Sequence, residues 1–410
     1  MRGIGGVMKK YVHRSLETVL KNLLKQFPAV AVTGPRQSGK STLLLKTLPE
    51  ARYVTLDDPV ALQQALNDPE LVLGNGDKPV VLDEIQYAPS LLPYIKMRID
   101  RNRGAKGRFI LTGSQQFALI KNLGESLAGR IGLLELLPFS VEEASRAGAS
   151  SGSLARFERA CLRGMFPEPT MNSGMDVPRW YASYVQTYLE RDIRTLYDIG
   201  NLREFERFLQ LLAARCSQEL HLTVLATDTG VAVNTIKKWI SILEACRIIY
   251  LLPPYYRNLG KRIVKAPKVY FLDIGMVCYL TGLRDRHHVI NGPLAGALFE
   301  NFCVQEALKA MLSKGVPPRL YFLKTHNGLE VDLLVEGING RLCPFEFKFS
   351  STPKPAMCRS LERFGELFKD LNPEPGKLVS LSEKTAPLTR SIMHASLDVF
   401  LSEIRNLAQV

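Results

Sequence analysis

The stretch that most constrains this chain is Ala29-Val-Ala-Val-Thr33-Gly34-Pro35-Arg36-Gln37-Ser38-Gly39-Lys40-Ser41-Thr42. It opens with a short apolar run, turns at Gly34, and re-enters a helical pattern at Leu43-Leu44-Leu45. Inside it lies G-x-x-x-x-G-K-S, the phosphate-loop pattern, in the strand–loop–helix setting that gives the pattern its meaning. A triphosphate needs backbone N–H groups that converge on it, and glycine at the tight positions lets the backbone come that close. The following helix adds its N-terminal amides and positive dipole end. The pattern therefore assigns Gly34, Pro35, Arg36, Gln37, Ser38, Gly39, Lys40, Ser41 and Thr42 to a nucleotide. Lys40 would face the β- and γ-phosphates, and the Ser41 hydroxyl would hold Mg²⁺.

A chain of 410 residues is too long for one core, so several domains are expected. Leu16, Val19, Leu20, Leu23 and Leu24 recur at helical spacing and predict an amphipathic helix over 15–26. Strands are expected over 53–58, 79–84, 108–114 and 131–137. Buried strands that alternate with helical patterns make a parallel α/β sheet. The third strand ends in Asp83-Glu84, and ligands of such sheets lie outside the carboxyl ends of the strands. Asp83 would bind Mg²⁺ through water and Glu84 would polarise the attacking water. Two solvated acids at a strand end are the plainer alternative, weakened here by the phosphate loop.

The loop Gly34 to Thr42, Val80-Val-Leu-Asp-Glu-Ile-Gln86, Ile110-Leu-Thr-Gly-Ser-Gln115 and Ser126-Leu-Ala-Gly-Arg130 resemble one group of prokaryotic AAA-type ATPases. In that group a restriction-endonuclease-like C-terminal domain of unknown function follows the ATPase, and the resemblance runs over nearly the whole chain. It implies ATP with Mg²⁺ as cofactors, and a γ-phosphate sensor at Thr112 to Gln115, with Ser114 its catalytic member. It also implies that Arg130 meets γ-phosphate charge, either in cis or from a neighbouring subunit, which leaves a homo-oligomer open. A surface arginine at a helix end is an equal alternative for Arg130.

Beyond Phe139 the pattern turns helical. Ser140 is suited to cap a helix whose first turn carries Glu142 and Glu143. Gly164 to Glu168 and the helix around Tyr188 look like the family's lid, where Arg191 and Arg194 would reach nucleotide or pair with neighbouring acids. Leu225 to Leu243 then reads as a helix, a turn at Gly230 and a second helix with Ile236, Trp239, Ile240 and Leu243 on its apolar face. Strand patterns at 248–252 and 268–272 follow, which makes a winged helix-turn-helix. Arg257, Lys261, Arg262, Lys265 and Lys268 contain no acid among them and suit a phosphate-contacting hairpin. Such modules also serve purely as packing units.

The last third holds a second constellation. A helix over 294–312 carries Glu300, a strand spans 319–324, and Asn327-Gly328 marks a hairpin. Alternation puts Glu330 and Asp332 on one face of the next strand, and Glu346 and Lys348 on one face of the third. Helix, three strands and Glu-x-Lys are similar to restriction-endonuclease-like nucleases. That similarity implies a metal held by Glu300, Glu330, Asp332 and Glu346, with Lys348 catalytic. The charged face of a solvated sheet, or the fold without cleavage, are the alternatives.

The net charge of +13 favours an acidic partner and makes DNA contact, through the winged helix and C-terminal domain, a reasonable expectation. Seven scattered cysteines without a C-x-x-C pair point to reduced thiols rather than a disulfide framework. No apolar segment follows Lys9 and Lys10, and no run approaches the ~18 residues that cross a bilayer, so a cytoplasmic protein with no membrane partner is expected. The expected fold class is α/β. It comprises a P-loop domain with a parallel sheet (1–139), a helical lid (140–216), a winged helix-turn-helix (217–288) and an α/β endonuclease-like domain (289–410). The expected function is an ATP-hydrolysing protein whose nucleotide state controls a DNA-binding and nuclease-like module. An ATP-dependent switch or scaffold without cleavage is the alternative, and a protein remodeller ranks third.

Overall fold

The computed structural model describes residues 11–74, 78–113, 127–148, 152–190, 202–255 and 266–408, without the side chains of 188–190. Ser114, Gln115, Arg191, Arg194, Arg257, Lys261, Arg262 and Lys265 lie outside the described residues.

The first five strands are β1 (Ala29–Thr33), β2 (Arg52–Thr55), β3 (Val80–Asp83), β4 (Phe109–Gly113) and β5 (Ile131–Glu135). All pair in parallel, in the order β2-β3-β4-β1-β5. β1 is buried along its whole length because helices cover both faces of the sheet. Ala29 and Ala31 join Leu82, Leu111 and the helix Leu91–Arg101 on one side. Val30 and Val32 join Leu16, Leu20, Leu43 and Leu44 on the other. The period of two thus divides one apolar run between two cores.

The strand order sets β4 between β1 and β3. The phosphate loop after Thr33, the acid Asp83 and the hydroxyl of Thr112 therefore emerge side by side at the same sheet edge. β2 stops at Thr55, short of the expected acids. Asp58 instead caps the helix Pro59–Asn67, accepting the Val60 N–H at 3.0 Å.

Ser140 caps the helix Val141–Arg146, and Glu143 reaches back to the Ser140 amide, a reciprocal capping box. Helices Ser153–Arg163 and Val177–Tyr184 follow, the latter running into a π-helical turn, Val185–Glu190. Helices Leu222–Thr229 and Val233–Ala245 meet at Gly230, whose φ of 81° requires a left-handed turn. Trp239 packs against Phe205 and Phe208. β6 (Ile249–Leu252) and β7 (Lys268–Phe271) pair antiparallel behind them.

The helix Ala295–Ser313 leads into a six-stranded mixed sheet of order β12-β13-β11-β10-β9-β8. Its strands are β8 (Leu320–Lys324), β9 (Glu330–Glu336), β10 (Leu342–Lys348), β11 (Lys377–Ser380), β12 (Ala386–Pro387) and β13 (Met393–Ala395). Helices Ala295–Ser313 and Leu397–Leu407 share a core with one face of this sheet, and the helix Arg359–Leu367 packs on the other. The first of these cores is continuous with the helical middle of the chain. Phe157 touches Phe299, Phe302 and Phe349 across that boundary. All seven cysteines are free and buried. Among the described residues no helix is long and apolar enough to cross a membrane.

Candidate functional site

Gly34 leaves β1 with φ 144°, and a Cβ there would lie 2.1 Å from the Leu136 carbonyl oxygen. Only glycine lets the loop turn so close to the chain leaving β5. Gln37 and Gly39 also adopt positive φ, which curls the loop over the start of the helix Lys40–Thr47. The Lys40 ammonium is buried and donates to the carbonyls of Gly34 and Pro35 at 2.9 and 3.0 Å. Burial pulls its pKa down, while Glu84 and Asp83 push it up and Arg36 again lowers it. The hydrogen bonds this buried cation makes among the described residues go to neutral carbonyls, weaker partners than charged oxygens.

Asp83 collects three hydroxyls. Ser41 Oγ donates to its Oδ2 at 2.9 Å, Tyr53 OH to the same oxygen, and Thr112 Oγ1 to Oδ1. Burial and the bond to Asp83 raise the Tyr53 phenol far above its ordinary value, keeping it a donor. The Ser41–Asp83 pair is an all-oxygen donor set, the chemistry that suits Mg²⁺. Glu84 sits just past β3 in a left-handed conformation, φ 57°, uncommon for a non-glycine residue. Its amide donates to Thr112 Oγ1 at 3.3 Å, and Gln86 Nε2 donates to its carboxylate. Arg36 donates to the Tyr87 hydroxyl at 3.2 Å, at the outer rim of the site.

Arg14 belongs to no motif in the sequence, yet it reaches the site. It is 6 % exposed and donates to the Ser38 carbonyl at 2.8 Å and the Leu137 carbonyl at 2.6 Å. Its Nε lies 3.2 Å from Glu143, itself 4 % exposed, and its guanidinium stacks 4.8 Å from the Phe139 ring centroid. Burial alone would raise the Glu143 carboxyl. Arg14 and the amides of Ser15 and Ser140 outweigh it and hold the pKa below its usual value. The available signal was an arginine directly before an amphipathic helix. Beside it, Tyr11, Val12, Thr42, Phe139, Pro167 and Met171 line a largely apolar cleft of about 260 Å³ next to the phosphate-loop helix.

Arg130 corrects an expectation. It precedes β5, and Ile131 pairs with Ala29, the first residue of β1, whereas the phosphate loop follows the last. Four residues of strand, about 13 Å, separate it from the loop within the chain. Its guanidinium is engaged by Asp100 at 2.9 and 3.1 Å. A γ-phosphate role in cis does not fit this placement.

The C-terminal acids do converge, but on an ammonium. Lys268 Nζ lies 2.9 Å from Glu300, 2.7 Å from Glu330 and 4.0 Å from Asp332. Lys268 is 3 % exposed, so it is no part of a solvent-facing basic hairpin. The charged residue opening an otherwise apolar strand was the signal for this. Burial opposes its charge, but Tyr270 and the surrounding acids hold its pKa well above the ordinary value. Tyr270 OH donates to Glu300 at 2.6 Å, and Lys324 reaches Glu330 at 3.1 Å. Lys348 Nζ pairs with Glu346 at 2.7 Å, and Asp332 accepts the Phe347 amide at 2.9 Å. Burial and the nearby Asp332 push Glu346 up to about 8, against the pull of Lys348. Among the described residues no group of three or more acids, histidines or cysteines is arranged to hold a metal. The residues of the expected ligand set, Glu300, Glu330, Asp332 and Glu346, instead form a carboxylate cluster paired with lysines.

The loop, its acid-bearing strand and the parallel sheet define an AAA-type P-loop ATPase domain, and the model of that AAA domain matches residues 26–145. Two domains of unknown function match residues 154–287 (DUF8612) and 295–398 (DUF4143). The chain belongs to the same family as the uncharacterized protein Rv2008c of Mycobacterium tuberculosis. The two are 32% identical over 387 residues, covering 93% of this chain and 83% of that protein. The uncharacterized protein MJ1544 of Methanocaldococcus jannaschii is 20% identical over 390 residues, 88% of this chain and 82% of its own. Among solved structures, a Walker-type ATPase of Pyrococcus abyssi aligns at 16% identity and TM-score 0.47, over 65% of this chain and 94% of its own. The RuvB Holliday junction branch migration motor of Thermotoga maritima aligns at 18% identity and TM-score 0.32, over 58% and 89%.

Proposed function

We propose that this protein binds ATP with Mg²⁺ at the phosphate loop, hydrolyses it, and uses nucleotide state to control its C-terminal modules. The observation that carries this is Asp83, which collects the Ser41, Tyr53 and Thr112 hydroxyls at the edge where Lys40 is buried. Lys40 would leave the Gly34 and Pro35 carbonyls for phosphate oxygens. Ser41 and Asp83 would hold Mg²⁺, which when bound offsets charge on the phosphates. The apolar cleft beside Thr42 suits the base. Glu84 would polarise water once Gln86 releases its carboxylate, and Ser114 would assist at the γ-phosphate. Arg130 remains available only to a neighbouring subunit.

The relay to the rest of the chain is supported by Arg14, which joins the Ser38 carbonyl to Glu143. The next contacts are buried too: Lys309 donates to the Phe139 carbonyl, and Glu306 accepts the Val141 amide, at 2.9 and 2.8 Å. Both belong to the helix Ala295–Ser313, which opens the last module. The helix pair around Gly230, with exposed Lys237 and Lys238, supports DNA as the partner. The lysine-filled acid cluster favours a switch without cleavage over a nuclease.

The test is a phosphate-release assay beside ATP titration. Lys40→Ala should abolish binding. Glu84→Gln should keep binding and lose at least about 100-fold in turnover, the usual scale for general-base loss. Turnover of Glu84→Gln equal to wild type would refute the assignment.

A further inference from the structure

We propose that Lys268 is the resident cation of the C-terminal acid cluster, standing where a divalent metal would have to bind, so that the full chain takes no divalent ion there. Mg²⁺ and Mn²⁺ need oxygen ligands drawn in to bonding distance, about 2.0–2.1 Å for Mg²⁺. The ammonium already lies between those oxygens, 2.9 Å from Glu300 and 2.7 Å from Glu330. A second cation could not share that space without like-charge repulsion.

Lys268 is not free to swing aside. Its residue is buried at the head of β7, its Nζ lies 5.6 Å from the Phe322 ring centroid, and its acid partners come from two further elements. Glu300 belongs to the helix Ala295–Ser313, Glu330 and Asp332 to β9, and Lys268 to the strand paired with β6. Lys324 adds a second ammonium to Glu330, and Lys348 supplies a third to Glu346. With Glu219, 2.7 Å from Lys324, five carboxylates thus meet three ammonium groups. Glu346, 5 % exposed, keeps its Oε2 buried without a hydrogen-bond partner among the described residues. That oxygen is an unused ligand beside a cluster whose centre is already filled.

Lys268→Met keeps the stem and removes the charge, so it should open a divalent-cation site built from Glu300, Glu330 and Asp332, with Glu346 nearby. The experiment is a calorimetric Mn²⁺ titration of the full chain without nucleotide, run on wild type, Asp332→Asn, Lys268→Met and the double variant. Wild type and Asp332→Asn should give the same isotherm. Lys268→Met, shown folded by circular dichroism, should gain one Mn²⁺ that the double variant loses. Mn²⁺ should raise its melting temperature and leave that of wild type unchanged. One Mn²⁺ bound by wild type and lost in Asp332→Asn overturns the proposal, as does a folded Lys268→Met that gains none. Should Lys268→Met fold only when Mn²⁺ is present, the proposal stands. Should it not fold at all, the comparison of wild type with Asp332→Asn decides alone.

Discussion

Replacing Arg14 tests whether the phosphate loop is mechanically tied to the rest of the chain. Arg14→Met removes the donor to the Ser38 and Leu137 carbonyls and leaves the Glu143 carboxylate buried without its counter-charge. Breaking one half of a buried pair costs about 3–5 kcal/mol, most of it from the stranded charge. A hydrogen bond from a charged donor contributes about 1.5–3 kcal/mol, so losing the one to Ser38 should weaken ATP binding by about tenfold or more. The two effects separate in Arg14→Met/Glu143→Gln. With the stranded charge gone, stability should recover in part while ATP affinity stays low. Thermal melting and titration of a fluorescent ATP analogue read the two quantities. pH gives a third check. The folded pKa of Glu143 lies below its unfolded value. Its contribution is complete above the unfolded carboxylate range and is lost as pH falls through the folded value. The melting difference between wild type and Arg14→Met should therefore shrink toward acid pH. A variant that melts lower yet binds ATP like wild type would reduce Arg14 to a packing residue.

Two further outcomes concern the phosphate loop and the basic segment ahead of Lys268. Gly34→Ala puts a Cβ against the Leu136 carbonyl and should cost about 1–3 kcal/mol, as overpacking does, with loss of nucleotide affinity in the same ATP titration. Reversing Lys261, Arg262 and Lys265 to Glu should weaken DNA binding across sequences, each lost phosphate contact lowering the slope of log K against log salt by about one. An unchanged slope would remove DNA contact from that segment.

The parallel sheet and the phosphate loop were legible because their determinants are local. An apolar run of four or five residues ending in Gly34 or Asp83 carries both strand and site. Ser140 and Glu143 were legible as a cap for the same reason. What was not legible depends on register and chain crossing. Arg130 lies six residues before Leu136, yet strand direction puts it at the far end of the sheet. Lys268 looks like one more member of a basic hairpin, and only the packing of β7 against the helix Ala295–Ser313 turns it inward. Arg14 has no motif at all, since its three partners lie 24 to 129 residues away.

The continuous core beyond Ser140 carries a practical consequence. The aromatic cluster of Phe157, Phe299, Phe302 and Phe349 belongs partly to the segment matched at 154–287 and partly to that at 295–398. Cutting the chain between them would bare those rings to water on both fragments. The two segments therefore share one core, whereas the phosphate-loop sheet keeps two cores of its own. The phosphate-loop sheet meets that shared core around Leu137 to Val141 and again where Arg247 reaches Glu135 at 2.6 Å.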